Sequence, residues 1–545
     1  MSKATANTFD VIIIGAGIAG MYQLLKLREL GFSVKVYEAG GDVGGTWYWN
    51  RYPGCRFDSE SYSYGYSFSK ELLDEWDWTE HFSPQPETLR YLNLVADKFD
   101  LRNDIQFDSR VKKASFNDGD NHWEIELDNG STSQARFLIS ATGPLSAPQM
   151  PNIEGVDSYQ GESFHTARWP RDPNGFGGSK EIDFEGKRVG VIGTGASGVQ
   201  VIQEIAKTAK ELLVFQRNPN WCAPLKNSPI SKKEQLEIKA TYPEIFKKCS
   251  ENFGSFLHSP DSRMALETSP EDRKALFDEL YAAPGFGIAL ANFRDIMIDQ
   301  KANDLVSEYI AGRIRQRVDN PAIADKLIPT NHGFGTRRVP LETNYYEVYN
   351  QANVSLIDLR DTPIECITEQ GLKTSAADYD LDMLIYATGF DPVTGSLNRI
   401  DINGIDGLKL KDKWAEGPQT YLGLQVQGFP NFLTLVGPHN GATLCNIPRC
   451  IEQNVEWVSE LLDYMRRENL EYIEAEKEAE LAWTEHVGEM ALCTLFPTAE
   501  SWFMGVNKNN PERKPAFMVY AGGVPRYKAK CDEVAAEGYE GFVLK

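Results

Sequence analysis

The fold is decided by residues 9–20, FDVIIIGAGIAG, where a short apolar run leads into a glycine-rich turn. Such a run is typical of a strand that is buried on both faces. The turn has the spacing GxGxxG, with glycines at Gly15, Gly17 and Gly20. The following MYQLLKLRELG has the apolar spacing of a helix, and FSVKVYEA predicts a second strand that ends near Glu38. This order predicts a dinucleotide-binding unit, in which the turn holds a pyrophosphate and Glu38 accepts hydrogen bonds from a ribose.

The same pattern recurs in the middle of the chain, where residues 188–198 read RVGVIGTGASG. A helix-like VQVIQEIAKTAK and a strand-like ELLVFQR follow. The turn residues predicted to bind a second dinucleotide are Gly193, Thr194, Gly195, Ser197 and Gly198. At the distance from the first glycine where Glu38 stands in the first unit, the second has Gln216, followed by Arg217. A carboxylate would repel a ribose 2′-phosphate and a guanidinium would pair with it, so the sequence predicts NADPH at the second site and FAD at the first.

The composition fits a protein of several globular domains and limits its partners. The chain has 545 residues, and its 56 Lys and Arg against 78 Asp and Glu give a net charge of −22 at pH 7. That charge argues against binding to nucleic acid or to an anionic membrane surface. No apolar run approaches the roughly 20 residues of a membrane span. The eight cysteines form no CxxC pair, which predicts reduced thiols in a cytoplasmic protein and no metal site.

The chain is predicted to have an α/β fold with two Rossmann-like dinucleotide-binding domains and a helical insertion. Between residues 221 and 330 the pattern changes to amphipathic helices such as SPEDRKALFDELY. Two strand ends, LISATGPLSAP and MLIYATGFD, carry Ala-Thr-Gly, which is similar to segments where flavin and NADPH enzymes cross between domains. The predicted division is residues 1–148 and 390–545 for the FAD-binding domain, 149–220 and 331–389 for the NADPH-binding domain, and 221–330 for the insertion.

Residues 44–58 and 159–169 carry glycine, aromatic and histidine residues at spacings that resemble the two fingerprints of the type I Baeyer–Villiger monooxygenases, the group that includes phenylacetone and cyclohexanone monooxygenases. Residues 44–58, GGTWYWNRYPGCRFD, match the first fingerprint at its fixed positions Gly44, Gly45, Trp47, Tyr52, Pro53, Gly54 and Asp58. Residues 159–169, YQGESFHTARW, match the second at Gly161, His165 and Trp169, with Tyr159 where the family usually has Phe. The resemblance extends to residues 502–508 and so covers nearly the whole chain. Related N- and S-oxygenating flavoenzymes usually lack the last tryptophan, so Trp169 favours the Baeyer–Villiger branch.

The resemblance implies an NADPH-dependent flavoprotein monooxygenase that inserts one oxygen atom of O₂ next to the carbonyl of a small ketone. The product would be an ester or lactone, formed via a C4a-peroxyflavin. A flavin-dependent N- or S-oxygenase is the alternative and would give an amine or sulfide oxide. A disulfide reductase would need a dithiol near the flavin, and a redox sensor without catalysis would not need the charged set Asp58, Arg337 and Arg338. The oligomeric state is open, and a monomer is compatible with the sequence.

The resemblance also implies roles for individual residues. Arg338 would be the catalytic arginine that stabilises the peroxyflavin anion, and Asp58 would hold its guanidinium. Arg337 would join Arg217 at the 2′-phosphate of NADPH. Further contacts with the cofactors are implied for Gly45, Thr46, Trp47, Asp58 and Tyr64.

The resemblance implies structural roles for two segments, a linker between the domains and a loop over the site. His165 would tie the linker of the second fingerprint to the NADPH domain. Trp502 would lie on a mobile loop that covers the nicotinamide and shapes the ketone pocket. Asn507 and Lys508 would help to close that loop.

Overall fold

The computed structural model describes residues 7–172, 180–441, 444–507, 509 and 513–545. Two sheets dominate these residues, one of eight strands and one of five. Each contains one of the glycine-rich units that the sequence predicts. The predicted α/β fold with two Rossmann-like units is therefore confirmed.

The larger sheet is organised around the strand Asn7–Ile14, which is parallel to Val34–Tyr37 on one side and to Thr132–Ser140 on the other. Val11–Ile14 is buried throughout, because both faces of this central strand are covered. The helix Ile18–Glu29 connects the first two strands. In spatial order the strands are Asp401–Asn403, Val111–Asn117, His122–Leu127, Thr132–Ser140, Asn7–Ile14, Val34–Tyr37 and Ile105–Gln106, with Phe432–Thr434 also paired to Thr132–Ser140.

The smaller sheet repeats this arrangement with parallel strands only. Its strands in spatial order are Val354–Asp358, Glu211–Gln216, Arg188–Ile192, Met383–Tyr386 and Glu162–His165. The helix Ala196–Ile205 follows the central strand Arg188–Ile192. Because the carboxyl ends of parallel strands share one edge, the second glycine turn and Arg217 lie at the same edge of this sheet.

Helices occupy most of the stretch between the strands of the smaller sheet. They are Lys232–Ala240, Tyr242–Glu251, Pro270–Ala282, Gly287–Leu290, Gln300–Arg317 and Pro321–Leu327. The Ser269 hydroxyl accepts a hydrogen bond from the Asp272 backbone N–H at 3.1 Å, which is the helix start that the sequence predicts. This insertion also contacts the chain beyond the first fingerprint, since the Ile230 N–H donates to the Thr79 carbonyl at 2.9 Å.

The remaining elements surround the two sheets. Short strands pair as Ala223–Pro224 with Leu341–Glu342 and as Ile473–Ala475 with Phe542–Leu544. Gly371–Thr374 pairs with Ile364–Ile367 on one side and with Asp378–Asp380 on the other. The other α-helices are Thr46–Trp49, Ser61–Tyr64, Lys70–Glu75, Gln85–Lys98, Leu410–Lys413, Ile447–Arg467, Lys477–Leu492 and Val524–Ala536.

Three sequence-level expectations concern membranes, metals and cysteines. In the described part of the chain, no helix combines the length and apolarity needed to cross a membrane. Nor do three or more His, Cys, Asp or Glu side chains among those residues form a group that could hold a metal ion. Cys445 is paired with Cys450, which differs from the expectation of reduced thiols throughout. The spacing of these two cysteines is not a CxxC pattern, so the sequence did not single them out.

Candidate functional site

The first glycine turn has the steric constraints of a dinucleotide cradle. Gly15 has φ of +105°, and a Cβ there would lie 2.7 Å from the carbonyl oxygen of Ala141. A Cβ on Gly20 would lie 1.9 Å from the carbonyl oxygen of Gly15. Only glycine fits at these positions, so the turn can bring its backbone close to a pyrophosphate. Ala141 belongs to the first Ala-Thr-Gly segment, which thus packs under the turn.

Glu38 lies where the first unit needs its carboxylate. It ends the strand next to the turn and accepts hydrogen bonds from the backbone N–H groups of Ala16 at 2.8 Å and Gly40 at 2.6 Å. Burial raises the pKa of Glu38, and the N–H groups of Ala16 and Gly40 oppose that shift. The carboxylate is therefore fixed beside the glycine turn, in the position from which it can bind the ribose of a dinucleotide.

The first fingerprint begins against the same turn. The Gly44 N–H donates to the Ala16 carbonyl at 3.0 Å, and a Cβ on Gly45 would lie 2.8 Å from the Cα of Gly17. Thr46 starts the short helix Thr46–Trp49 and is exposed. The predicted contacts Gly17, Gly45 and Thr46 are thus neighbours, and the small residues keep the cradle open. This fits an FAD pyrophosphate.

The buried Trp47 and the half-buried Tyr64 continue the first site. The Trp47 indole N–H donates to the Tyr64 hydroxyl at 3.2 Å, and the two rings pack edge to face at 5.8 Å. Phe57 stacks on Tyr64 with ring centres 4.2 Å apart. Burial raises the pKa of Tyr64, so its hydroxyl stays protonated and can donate a hydrogen bond.

The second glycine turn repeats the first. Gly193 has φ of +107°, and a Cβ there would lie 2.5 Å from the carbonyl oxygen of Ala387, in the second Ala-Thr-Gly segment. A Cβ on Gly198 would lie 2.3 Å from the carbonyl oxygen of Gly193, whereas Gly195 faces open space. The Thr194 hydroxyl donates to the Asn218 carbonyl at 2.9 Å and so joins the turn to the next strand.

The two arginines predicted for the 2′-phosphate lie within electrostatic reach of each other. Burial lowers the pKa of Arg337, Glu500 opposes that shift, and Arg217 adds to it. The Nε of Arg337 is buried and has no hydrogen-bond partner among the residues that the structure describes. Burial and Arg337 together lower the pKa of His332 to about 3, so that histidine stays neutral. An unpartnered guanidinium nitrogen beside a second cation fits a phosphate dianion.

Gln216 does not replace the missing carboxylate. Its side chain is fully buried, and its amide donates to the Lys326 carbonyl at 2.8 Å. Arg217 at the next position is exposed. The edge of the smaller sheet therefore presents a cation where the larger sheet presents Glu38.

Asp58 and Arg338 form an ion pair, with Nη2 and Oδ2 3.0 Å apart. Burial raises the pKa of Asp58, and the Arg338 guanidinium is the strongest opposing influence. The Arg338 guanidinium carbon lies 4.5 Å from the ring centre of Phe286 in the insertion. The Asn220 amide donates to the Arg338 carbonyl at 3.2 Å. Asp58 and Phe286 thus contact the guanidinium, and Asn220 fixes the backbone of the same residue.

The first fingerprint, which ends at Asp58, packs against the second glycine-rich unit. The Tyr52 hydroxyl donates to Oε1 of Gln200 at 2.7 Å, and the Gln200 amide donates to the Arg56 carbonyl at 3.0 Å. A Cβ on Gly54 would lie 2.9 Å from the Gln200 carbonyl oxygen. Burial raises the pKa of Tyr52, and the Ser197 hydroxyl opposes that shift, which places Ser197 in this contact.

The residues of the second fingerprint have structural contacts. The Tyr159 hydroxyl donates to the Leu381 carbonyl at 3.0 Å, and the ring leaves no room for a Cβ on Gly161. Nδ1 of His165 accepts from the Ala167 N–H at 3.0 Å, and burial lowers the pKa of His165 to about 4. Trp169 is buried and packs on Phe164 and Phe184. A neutral His165 at the end of a strand fits a linker role better than acid–base catalysis.

The two crossings between the sheets lie side by side. The Gln149 N–H donates to the Gly389 carbonyl at 3.0 Å, and the Asp391 N–H to the Ala147 carbonyl at 2.8 Å. Asn507 joins both strands of this crossing, because it donates to Asp391 at 3.0 Å and accepts from the Gln149 amide at 2.9 Å.

The segment that carries Trp502 is anchored at this crossing. Trp502 is half-buried and packs against Phe503 with ring centres 4.3 Å apart. Lys508, the other predicted loop residue, lies outside the described residues. Sequence reasoning missed Gln200, Asn220 and Phe286, which fix the first fingerprint and Arg338. The only signal for Gln200 was a polar residue within an apolar helix pattern, and the other two gave none.

Comparisons with known proteins agree on one group. Residues 8–228 match the family model described as flavin-binding monooxygenase-like. The chain is 50% identical to 2-oxo-Δ3-4,5,5-trimethylcyclopentenylacetyl-CoA monooxygenase of Pseudomonas putida, over 100% of this chain and 99% of that protein. It is 41% identical to cyclohexanone 1,2-monooxygenase of Acinetobacter sp., over 98% and 97% of the two chains. The crystal structure of OTEMO in complex with FAD and NADP superposes with a TM-score of 0.96 at 50% identity, covering 99% of this chain and 100% of that chain.

Proposed function

The chain belongs to the type I Baeyer–Villiger monooxygenase family, and we propose that Asp58, Arg338 and the residues that hold them direct its oxygen insertion into a ketone. The protein is an FAD- and NADPH-dependent flavoprotein monooxygenase. Bound FAD, once reduced by NADPH, supplies the activation of O₂. The protein must supply orientation, charge and exclusion of water.

The observation that carries the proposal is the ion pair of Asp58 and Arg338 between the two glycine units. Oxygen insertion places negative charge on oxygen, and a fixed guanidinium stabilises such charge in a site that excludes water. Asp58 holds one nitrogen of Arg338 at 3.0 Å and leaves the others able to donate elsewhere. Phe286 limits the guanidinium on its ring face. Arg338 thus has both the charge and the fixed direction that the reaction needs.

We assign the first glycine turn to FAD and the second to NADPH. Glu38 beside the first turn suits a ribose with free hydroxyls. Arg217 and Arg337 at the second suit a ribose 2′-phosphate, because the buried Nε of Arg337 has no partner within the described protein. The sheet membership of the strands supports the division into residues 1–148 with 390–545, 149–220 with 331–389, and the insertion 221–330.

The ketone we propose is cyclic. The relative that shares 50% identity is named for a 2-oxo-trimethylcyclopentenylacetyl-CoA and another for cyclohexanone, although a relative at 42% identity is named for acetone. The insertion delivers buried aromatic side chains to the Arg338 side of the site, including Phe286 and, 5.3 Å from it, Phe256. Such a lining suits an apolar ring. A cytoplasmic location and a monomeric state stay predictions.

The test combines cofactor content with product analysis. The purified protein should be yellow, hold FAD without a covalent link, and consume NADPH in step with ester or lactone formation. A panel of cyclopentanones, cyclohexanones, linear ketones, sulfides and tertiary amines should give the fastest turnover with a cyclic ketone. Sulfoxide or N-oxide without any ester would support the N- or S-oxygenase alternative instead, and a folded protein that takes up no FAD would refute the assignment.

A further inference from the structure

Two arginines of the second fingerprint region cover two aromatic residues of the first. The guanidinium carbon of Arg168 lies 4.2 Å from the ring centre of Trp49. That of Arg171 lies 3.7 Å from the ring centre of Tyr48 and 5.3 Å from that of Trp49. The two aromatic rings pack edge to face at 5.1 Å. Cation–π contacts of this geometry are attractive, and more so when the cation is desolvated.

The aromatic pair contacts the first dinucleotide site. The Tyr48 hydroxyl accepts a hydrogen bond from the Gly41 N–H at 2.6 Å, and a Cβ on Gly40 would lie 2.3 Å from the Tyr48 ring. Burial raises the pKa of Glu38, and the Trp49 indole is among the groups that oppose that shift. Tyr48 and Trp49 therefore lie between the two arginines and the carboxylate that we assign to the ribose of FAD.

The two arginines add positive charge near the first dinucleotide site, where Arg171 also feels the attraction of Asp42 and Glu38. Within the described part of the chain, no carboxylate lies at ion-pair distance from Arg168 or Arg171, although the protein has a net charge of −22. Burial lowers the pKa of Arg168 to about 10, with further contributions from Arg110 and Arg399. Arg110 and Arg399 thus lie within electrostatic reach of Arg168, and Arg110 lies within reach of Glu38 as well. Both arginines are exposed and can add positive charge on this side of the site, and the diphosphate of FAD is the anion assigned to the first glycine turn.

We propose that Arg168 and Arg171 form a clamp that retains FAD, by holding Trp49 and Tyr48 against the first dinucleotide site and by adding positive charge beside the diphosphate. The second fingerprint would then act on the first cofactor as well as on the linker. Both arginines are positioning residues, because they act on FAD through the aromatic pair and through their charge, without a contact to the reacting atoms. The inference rests on FAD binding at the first glycine turn and not on the ketone reaction.

The rate of FAD release from the holoenzyme tests the clamp. Free FAD fluoresces more strongly than the bound form, so its release can be followed after dilution at several salt concentrations. Arg168→Ala should release FAD about 5- to 30-fold faster than the unaltered protein, and Arg171→Ala should act in the same direction. Arg168→Lys should restore part of the loss, since it keeps the charge, and Arg168→Gln should not. The exposed Arg315 of the insertion, changed to alanine, is the matched control and should leave the release rate unchanged.

A double-substitution series separates the clamp from a general loss of stability. In a Trp49→Leu background, Arg168→Ala should add less than a twofold change, because its contact is already gone. The full effect in that background, or release within twofold of normal in both single variants, would overturn the proposal. If Arg168→Ala does not fold, the Lys and Gln variants provide the same comparison. A protein that binds no FAD at all would refute the proposed function, whereas normal FAD retention in the variants would refute only the clamp.

Discussion

Replacing Arg338 with alanine would remove the cation on which the proposed chemistry depends. Its guanidinium lies 3.0 Å from the Asp58 carboxylate and 4.5 Å from the ring centre of Phe286. The Arg338 side chain is 42% exposed, whereas that of Asp58 is 8% exposed. The substitution therefore leaves a buried carboxylate without its cation. The pKa of Asp58 should rise further, because burial raises it and Arg338 is the main opposing influence.

The cost to folding should be modest and the cost to catalysis large. Breaking a fully buried ion pair costs about 3–5 kcal/mol, but water screens the exposed guanidinium, so we expect about 1–2 kcal/mol for this pair. Removing a charge that stabilises a developing oxyanion costs about 2.7–4 kcal/mol, or a factor of about 10²–10³ in rate, once bound cofactors and substrate have displaced water from the site. FAD binding and reduction by NADPH should persist, since hydride transfer needs no oxyanion stabiliser.

The assay follows NADPH consumption, hydrogen peroxide and ester in the same reaction, together with thermal unfolding and FAD content. Arg338→Ala should consume NADPH and yield hydrogen peroxide in place of ester. Arg338→Lys should restore little, because an ammonium group cannot reproduce the planar fork that Asp58 holds. Arg315→Ala serves as the control for loss of an exposed arginine and should keep the ester yield. Near-normal ester from Arg338→Ala would refute the reasoning and move the role to Arg337 or to another group.

Two further predictions concern neighbouring charges. Arg217→Ala should raise the Michaelis constant for NADPH by about one to two decades and hardly change that for NADH, because a charge-assisted hydrogen bond is worth about 1.5–3 kcal/mol; equal losses with both nucleotides would show that Arg217 does not contact the phosphate. The rate of ester formation should fall on acidification, and the midpoint of this fall should lie above about 3.9, the ordinary pKa of an aspartate. The reason is that burial raises the pKa of Asp58, and protonation of Asp58 frees Arg338. Asp58→Asn should be slower and lack this acid limb, and an unchanged limb would assign the titration to another group. The free energy of unfolding should depend on pH in the opposite direction. Because burial raises the pKa of Asp58, its contribution to folding stability is present at low pH, where Asp58 is protonated, and is lost as the pH rises through the folded-state pKa.

Both dinucleotide units could be predicted from the sequence, because each is a contiguous stretch with local constraints. The Cβ that Gly20 lacks would meet the carbonyl of Gly15, five residues away in the same turn. The choice of cofactor also depends on one position, Glu38 in the first unit and Arg217 after Gln216 in the second. For Asp58 and Arg338, the resemblance to the family predicted the pair, and the structure adds their distance and burial.

The contacts between units could not be predicted, because they join residues far apart in the chain whose local patterns are ordinary. Gln200 sits in a helix that would be read as apolar, yet it binds Tyr52 from 148 residues away. Phe286 lies in a stretch without a motif and reaches Arg338 only through the fold of the insertion. Nothing near Arg168 in the sequence indicates that its partner is Trp49. Residue type and spacing predict elements, whereas these pairings depend on how the elements pack.

These pairings explain why the two fingerprints occur in one chain. The first lies beside the first glycine turn and docks on the helix Ala196–Ile205 of the second unit through Tyr52 and Gln200. The second continues from a strand of the smaller sheet and places Arg168 on Trp49 beside the first turn. Each glycine-rich unit therefore binds the fingerprint segment that belongs to the other unit. Asp58 comes with the first fingerprint and Arg338 with the second unit, so their 3.0 Å contact exists only when both are docked. A shift of about 1 Å between the units would break that hydrogen bond, which makes the reciprocal docking itself part of how the proposed catalytic arginine is positioned.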